Sequence, residues 1–330
     1  MSGVQSVAVL EDETGLRLDR WFKRHFPDLG HGRLEKLLRT GQVRLDGKRV
    51  RAGARISAGQ VIRVPPVAAA AVNKKTKPDT TRISDIDADA IRSSVLYMDN
   101  NLIALNKAPG LAVQGGSGTS RHVDAMLDAL SYGANHRPRL VHRLDKDTSG
   151  VLLIARSPAA ASHFAEAFRS KRALKVYWAL VAGIPELEMG VIEAALRKGG
   201  GTGKERMYTA SRGKSAATNY MLIEAAGDRL AWLLLQPETG RTHQLRVHCA
   251  AMGTPILGDG KYGGRGAFLD GADGIARKLH LHARWIRVFG MTGEVIEVTA
   301  PLPEHMKDAW KYFGFEEGTA PLTMPEVSMS

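Results

Sequence analysis

The sequence predicts an α+β protein in which a small, basic amino-terminal α/β module precedes a larger domain built on one mixed, mostly antiparallel sheet. Thirteen lysines and arginines stand against four acids between residues 16 and 65, so nine of the twelve net positive charges fall within 50 residues. From Val95 onward, apolar segments typical of strands and helices alternate instead. Because 330 residues exceed the usual size of one domain, we expect two.

Residues 1–66 are expected to form a separate unit of two helices and a hairpin. Apolar residues recur there at three- and four-residue intervals in two segments, which predicts two short helices that share a core. Alternating segments at 42–50 and 60–64 predict two strands, with an Asp-Gly turn inside the first. The basic face of this unit suits a polyanion, and its candidate phosphate-binding residues are Arg33, Lys36, Arg39 and Arg44. The alternative is a basic surface that serves only solubility.

Three further boundaries follow from composition. Residues 67–90 lack apolar periodicity and contain an alanine run, lysines and a proline, so they are expected to form a flexible linker. The larger domain is then expected over residues 91–315. The tail over 316–330 is expected to be disordered.

Composition also limits the class of protein. No apolar run is long enough for a bilayer-spanning helix, so we expect no membrane association. No secretory signal is recognisable at the amino terminus, which predicts a cytoplasmic location. Cys249 is the only cysteine, so we expect neither an internal disulfide nor a thiolate metal site. His280 and His282 could share one face of a strand, but without a paired acid we expect no metal there.

A charged loop is the strongest candidate for a reactive site. Residues 142–150 read His-Arg-Leu-Asp-Lys-Asp-Thr-Ser-Gly and separate two apolar segments. Two short strands joined by such a loop would support a reactive side chain rigidly, and Asp145 is the natural candidate. The alternative is an ordinary charged turn that closes a hairpin.

A second polar turn leads into a short helix. Residues 240–248 read Gly-Arg-Thr-His-Gln-Leu-Arg-Val-His, with Arg241 at the start of the turn. A guanidinium keeps its proton and favours the ionised form of a nearby carboxylate, so we expect Arg241 to pair with Asp145. The alternative for Arg241 is a contact with a phosphate.

Four segments, taken in order, resemble the motifs of the RluA-type pseudouridine synthases. They are residues 142–150, residues 175–183 (Lys-Val-Tyr-Trp-Ala-Leu-Val-Ala-Gly), residues 240–248 and residues 255–263 (Pro-Ile-Leu-Gly-Asp-Gly-Lys-Tyr-Gly). The resemblance spans residues 95–300 and implies the pseudouridine synthase fold for the larger domain. The amino-terminal unit resembles the RNA-binding module of small-subunit ribosomal protein four at residues 15–19 and 33–43, although the serine usual before the second helix is missing.

The added module, together with the Gln-Gly-Gly-Ser-Gly segment at 114–118, points to the RluC-like branch, which acts on large-subunit ribosomal RNA. The family's catalytic aspartate matches Asp145, and the arginine that pairs with it matches Arg241. Its tyrosine, which packs on the target base, matches Tyr177, whereas the residue pattern alone would also allow a core tyrosine in a strand. Arg143 matches an arginine that helps fill the gap left by a flipped base. One departure is Thr254, where the family often has a histidine.

The resemblance implies that uridine is isomerised to pseudouridine in large-subunit ribosomal RNA, with the target base flipped out of its stack. This exchange of a C–N for a C–C glycosidic bond involves no net redox change, so no cofactor is expected. An aspartate could attack C6 of the ring, attack C1′ of the sugar or remove a 2′ proton, and the sequence leaves all three routes open.

Two other functions compete with this one. The first is an RNA-binding ribosome-assembly factor without turnover, for which the basic module alone would suffice. The second is hydrolysis of a nucleoside bond, which is disfavoured because glycosidases normally use two separately tuned carboxylates, and Asp147 lies only two residues from Asp145. No obligate protein partner is evident from the sequence.

Overall fold

The computed structural model describes residues 3–66, 83–116, 119–199 and 206–325. The chain divides into two units, Met1–Asp79 and Thr80–Ser330, each of which is described by itself. In the parts of the chain that are described, no helix is both long and apolar enough to cross a membrane.

The first unit contains two helices and a three-stranded antiparallel sheet with the order β1-β3-β2. Its elements are β1 (Gln5–Ala8), α1 (Leu18–His25), α2 (His31–Arg39), β2 (Arg44–Leu45) and β3 (Val61–Val64). The strand predicted over 42–50 shortens to β2 because Asp46 and Gly47 both adopt positive φ angles, 48° and 75°, and turn the chain. Strand β1 was not predicted, since its four residues alternate too briefly to be recognised before their pairing with β3 is known.

The two helices share one apolar core, as their spacing predicts. Trp21 and Phe22 of α1 are fully buried against Leu34 and Leu38 of α2. Beneath this core lies a buried carboxylate, Glu13, which the sequence did not reveal.

Glu13 gathers three donors. Its Oε2 accepts from Trp21 Nε1 at 2.9 Å and from the Leu10 backbone N–H at 3.1 Å, and its Oε1 lies 2.5 Å from His25 Nε2. Burial alone would raise the pKa of Glu13, but the hydrogen bonds from His25, Leu10 and Trp21 together lower it to about 2. The ionised carboxylate therefore stabilises the folded unit.

Replacing Glu13 by glutamine is expected to destabilise the first unit by about 2–3 kcal/mol, the usual contribution of hydrogen bonds to a charged acceptor. Because the folded pKa lies below the unfolded value of 4.5, the stabilisation is complete above that value and is lost as the pH falls toward 2. Amide hydrogen exchange of peptides from residues 3–66, corrected for intrinsic rates, measures both effects. Glu11→Gln, an exposed change in the same turn, is the matched control, and equal protection in the two variants would contradict the prediction.

The second unit is built around a ten-stranded sheet. Its helices are α3 (Asp85–Ser93), α4 (Val123–Met126), α5 (Pro158–Arg169), α6 (Gln244–Ala251) and α7 (Glu304–Phe313). Its strands are β4 (Val95–Met98), β5 (Leu102–Lys107), β6 (Arg139–Leu140), β7 (Ser149–Ala155), β8 (Leu174–Ala182), β9 (Met189–Glu193), β12 (Ala217–Ala226), β13 (Leu230–Pro237), β14 (Leu281–Phe289) and β15 (Val295–Thr299). A separate hairpin pairs β10 (Leu196–Gly199) with β11 (Arg206–Thr209).

The large sheet is mixed and mostly antiparallel, which confirms the predicted fold class. Its main path runs β4-β5-β7-β14-β8-β13-β12-β9, with β6 paired to β7 and β15 paired to β14. The β7–β14 pair is parallel, and the other pairs are antiparallel.

The parallel pair places the end of the charged loop against the centre of the sheet. Gly150 has a φ of +104°, and a Cβ atom there would lie 2.2 Å from the Ala283 carbonyl oxygen, so only glycine fits this approach. Beside it, Ser149 Oγ lies 2.8 Å from Nδ1 of His282, whose Nε2 donates to the Ala300 carbonyl at 3.2 Å. The Ser-Gly end of the loop is thereby fixed to β14.

Helices cover the sheet through aromatic and aliphatic contacts. Helix α5 begins as predicted, with Ser157 Oγ accepting from the Ala160 N–H at 3.1 Å and Pro158 as its first residue. Helix α7 buries Trp310 against Trp178 and Trp232, whose ring centroids lie 6.2 and 5.1 Å away.

The predicted linker is too long at its carboxyl end. Residues 67–82 lie outside the described residues, but helix α3 already begins at Asp85, where Ser84 Oγ accepts from the Asp87 N–H at 3.1 Å. Ile91 of this helix packs into the core of the second unit, and that burial orders the preceding turns. In the Gln-Gly-Gly-Ser-Gly segment that points to the RluC-like branch, residues 117 and 118 lie outside the described residues.

The predicted disorder of the tail is also wrong as far as residue 325. Residues Glu317–Thr319 form a 3-10 turn, and Glu317 pairs with Arg284 at 2.9 Å. Ala320 and Met324 pack against the tryptophan cluster. The polar composition of the tail concealed these long-range contacts, and residues 326–330 lie outside the described part.

Candidate active site

A cavity of about 730 Å³ brings the charged loop and the Arg241 turn together. Its wall includes all four residues predicted for this domain: Arg143, Asp145, Tyr177 and Arg241. The volume falls within the range of small-ligand sites. The charged loop and the Arg241 turn, far apart in the sequence, thus line the same cavity.

The loop that carries Asp145 is a rigid support. Strands β6 and β7 pair on either side of it, as predicted, and Leu144 is buried beneath it. The Asp145 carbonyl accepts from the Thr148 N–H at 3.2 Å, and the Lys146 carbonyl accepts from the Gly110 N–H at 3.0 Å. The Asp145 side chain itself is 18% exposed, so it is reachable from the cavity.

A buried lysine, Lys107, holds this loop from behind. Its Nζ donates to the carbonyls of Ala108, Leu111 and Lys146 at 2.8, 2.9 and 3.0 Å. Burial lowers the pKa of Lys107 to about 8, opposed by the nearby charges of Asp147 and Asp145. Sequence reasoning missed Lys107, and the available signal was a lysine at the end of a mostly apolar strand.

Arg241 does not pair with Asp145 as expected. Its exposed guanidinium lies at the rim, where Nε donates to the Ser215 carbonyl at 3.3 Å, and its backbone N–H donates to Gln244 Oε1 at 3.0 Å. Among the described residues, the basic side chain within 4.0 Å of the Asp145 carboxylate is His243, with Nε2 and Oδ2 3.9 Å apart. The turn places the histidine, two residues later, closer to the carboxylate than the arginine.

Tyr177 lies on β8 with its side chain partly buried between two apolar clusters of the sheet. Burial and the charge of Asp145 raise the pKa of its phenol, so the phenol stays protonated at neutral pH. Lys175, two residues earlier on the same strand face, also lines the cavity. Burial and the charge of Lys171 lower the pKa of Lys175 to about 8.

His142 closes one wall of the cavity. Its ring stacks on Phe168 of α5 with centroids 4.3 Å apart, and its Nε2 accepts from the Leu153 N–H at 2.8 Å. Burial, with a smaller effect from Lys175, lowers the pKa of His142 to about 3, so the imidazole is neutral. Sequence reasoning assigned no role to this residue.

A second histidine, His243, precedes α6 and contacts a tyrosine. Its Nδ1 lies 2.6 Å from Tyr262 Oη, while its Nε2 faces Asp145. Behind them, Arg246 donates two hydrogen bonds to Asp259 at 2.8 and 2.7 Å. Apart from Asp145, all of these residues lie within the family motifs at 240–248 and 255–263, but the sequence predicted no role for them, because their proximity depends on how α6 packs against residues 255–263.

The predicted RNA-binding residues of the first unit are exposed. Arg33, Lys36 and Arg39 lie on α2, and among the described residues none of them forms an ion pair. Arg44 is exposed too, but its guanidinium donates to the carbonyls of Gly41 and Gly47, both at 3.1 Å, and so braces a turn. In the second unit, Arg143 is exposed at the cavity wall.

Comparisons with known proteins agree on one family. Residues 101–251 match the family model described as RNA pseudouridylate synthase. The chain is 35% identical over 307 residues to ribosomal large subunit pseudouridine synthase C of Vibrio cholerae, covering 93% of this chain and 96% of the relative. It is 36% identical over 313 residues to the protein of the same name from Escherichia coli, covering 92% of this chain and 95% of that one. Among solved structures, human RNA pseudouridylate synthase domain containing 4 superimposes with a TM-score of 0.60 at 28% identity, covering 70% of this chain and 97% of that chain.

Proposed function

Since the chain belongs to the RNA pseudouridine synthase family and is therefore an isomerase, we propose that it converts uridines of large-subunit ribosomal RNA to pseudouridine in the cytoplasm. The named relatives that it matches over almost their whole length carry this substrate in their names. The observation that supports it most directly is the cavity in which the Asp145 loop meets Tyr177 and Arg241.

In the proposed mechanism, Asp145 is the reacting carboxylate. The uridine C1′–N1 bond breaks, the base rotates, and a C1′–C5 bond forms; C5 loses a proton and N1 gains one, so the product is an isomer of the substrate. The carboxylate is exposed to the cavity but held on a braced loop, which suits a group that must meet one atom of a substrate accurately.

The cavity would receive a base that has left its stack. A nucleobase inside folded RNA cannot reach a recessed carboxylate, so the target nucleotide must flip outward. We propose that Tyr177, protonated and partly buried, is the surface on which the base packs, and that Arg143 contacts the RNA from which the base has left.

Arg241 is proposed to support Asp145 once RNA fills the cavity. Both side chains line the same space, and the guanidinium is restrained at the rim by one hydrogen bond of 3.3 Å, so a change of side-chain rotamer suffices to move it. The competing role is a phosphate contact from its present position. The kinetics of Arg241→Leu separate the two roles.

The basic face of α2 is proposed to bind RNA phosphates. The triple replacement of Arg33, Lys36 and Arg39 by alanine is expected to weaken binding and to reduce the slope of log K against log salt by about two. A filter-binding titration at several salt concentrations measures both quantities on the full chain.

The matched control removes three charges from the second unit away from the cavity: Arg265, Lys307 and Lys311. It is expected to leave the slope nearly unchanged. If both triple variants lower the slope equally, the effect is one of net charge, and the proposed role of α2 is wrong.

The function itself is tested by tritium release. Large-subunit ribosomal RNA labelled at C5 of uridine is prepared from cells that lack this gene and is incubated with the protein. Release of tritium by the wild-type chain supports the proposal. Tight binding without release would instead favour an assembly factor that lacks turnover.

A further inference from the structure

A hydrogen-bonded pair lies directly behind the proposed reacting carboxylate. We propose that Tyr262 fixes His243 as the neutral tautomer that carries its proton on Nε2 and presents it to Asp145. His243 and Tyr262 are thus positioning residues, and the inference rests on the proposed function because it concerns the same site. The relevant distances are 2.6 Å from Tyr262 Oη to His243 Nδ1 and 3.9 Å from His243 Nε2 to Asp145 Oδ2.

The direction of the hydrogen bonds follows from a backbone amide. The Met207 N–H, which can only donate, points at Tyr262 Oη at 3.1 Å. The phenol's own proton then needs an acceptor, and His243 Nδ1 is 2.6 Å away. With Nδ1 accepting, a neutral imidazole must carry its proton on Nε2, which is the atom that faces Asp145.

Tyr262 is itself held in place from several sides. Asp259 is buried, and its Oδ1 accepts from the Tyr262 backbone N–H at 3.2 Å while its two oxygens accept from Arg246. The Arg246 and Arg206 guanidiniums lie 5.1 and 5.3 Å from the centre of the Tyr262 ring. The hydroxyl therefore stays fixed while RNA enters the cavity.

The backbone of His243 is unusual in a way that serves this arrangement. Its φ of 52° and ψ of 23° place it in the left-handed region, which costs a residue with a side chain free energy. This conformation occurs immediately before the first residue of α6, and it turns the imidazole toward Asp145 and Tyr262 together.

The buried environment of His243 favours the neutral ring. Burial is the largest effect and lowers its pKa. Of the charged groups that face it, Asp145 and Asp259 favour protonation, whereas Arg246 and Lys261 oppose it. A neutral donor can orient the carboxylate without pairing its charge, which leaves the lone pairs of Asp145 reactive.

The separation of 3.9 Å is longer than a hydrogen bond. Catalytic hydrogen bonds are often long before the substrate binds and shorten in the complex. We therefore expect the His243–Asp145 contact to shorten to a hydrogen bond when RNA fills the cavity.

The test compares Tyr262→Phe with the wild-type chain. This change removes one hydroxyl and keeps the ring that Arg246 and Arg206 cover. Without the phenol, the neutral form of His243 loses a hydrogen bond, so its pKa rises and the imidazolium pairs with Asp145 at mildly acidic pH. We expect kcat to fall about tenfold at neutral pH with little change in KM, and the acidic limb of the kcat profile to move upward by roughly one pH unit.

Tyr312→Phe, the same change at an exposed position on α7, is the matched control and should behave as wild type. A Tyr262→Phe variant with the wild-type kcat and pH profile would overturn the inference. So would an equal loss at every pH, because a merely structural defect would not move the acidic limb.

A measurement that does not depend on enzyme activity separates this proposal from the proposed function. In protein labelled with 15N-histidine, the His243 signal, identified by its loss in His243→Asn, should show a protonated Nε2 and an unprotonated Nδ1. The opposite tautomer would overturn the inference even if the enzyme is active. If the tautomer is as expected but the wild-type chain releases no tritium, the proposed function fails and the assigned geometry stands.

Discussion

Asp145→Asn is expected to abolish tritium release, with a loss of at least roughly 10⁴-fold in single-turnover rate, because the amide keeps the shape of the side chain but cannot act as a nucleophile or base. The loop should remain intact, since its hydrogen bonds come from the backbone and from Lys107 rather than from the carboxylate. RNA affinity, measured by filter binding, is therefore expected to stay within a few-fold of wild type.

Asp147→Asn is the matched control for this loss. Asp147 is an exposed carboxylate on the same loop, two residues away, and does not line the cavity. We expect it to retain nearly all activity. An active Asp145→Asn enzyme, or an Asp147→Asn enzyme as inactive as Asp145→Asn, would show that the reacting group has been assigned wrongly.

Arg241→Leu is expected to have the second largest effect. If the guanidinium supports the Asp145 carboxylate in the RNA complex, its loss lowers kcat by roughly 10²- to 10³-fold while the affinity for RNA changes little. If Arg241 instead contacts a phosphate from its place at the rim, the variant raises KM and reduces the salt dependence of binding, with kcat largely retained.

Arg265→Leu removes an exposed arginine that does not line the cavity and serves as the control for net charge. Steady-state kinetics of the three proteins on the same labelled RNA distinguish the roles. Full activity of Arg241→Leu would exclude both of them. Circular dichroism shows whether the fold is retained, which is expected because Arg241 makes one side-chain hydrogen bond, at the surface.

The sequence determined the class of the fold and the place of the site. The apolar segments around the charged loop predicted the β6–β7 hairpin, because strand periodicity is a local property. The position of Asp145, Tyr177 and Arg241 in one cavity followed from the family motifs. The shared core of α1 and α2 followed from three- and four-residue spacing.

Other features depended on contacts between distant parts of the chain. Glu13 is buried in the first unit because α1 packs over it. The tail to residue 325 is ordered because Glu317 pairs with Arg284 and because Ala320 and Met324 pack against the tryptophan cluster. The residues that contact Glu13 and the tail cannot be identified from the local composition. Acidic turns and polar tails are usually solvated, so nothing in the local pattern marks these contacts.

The most consequential difference concerns the neighbour of Asp145. The sequence predicted Arg241 from charge and from the family resemblance, whereas the tertiary structure places His243 within 4.0 Å of Asp145, held by Tyr262 from a loop 19 residues further along. Charge predicts only that a cation suits a carboxylate. The left-handed backbone conformation of His243, immediately before α6, turns the imidazole toward Asp145. The sequence by itself determined the family, the fold class and the reactive loop, and only the packing of α6 against residues 255–263 decided the arrangement around the carboxylate.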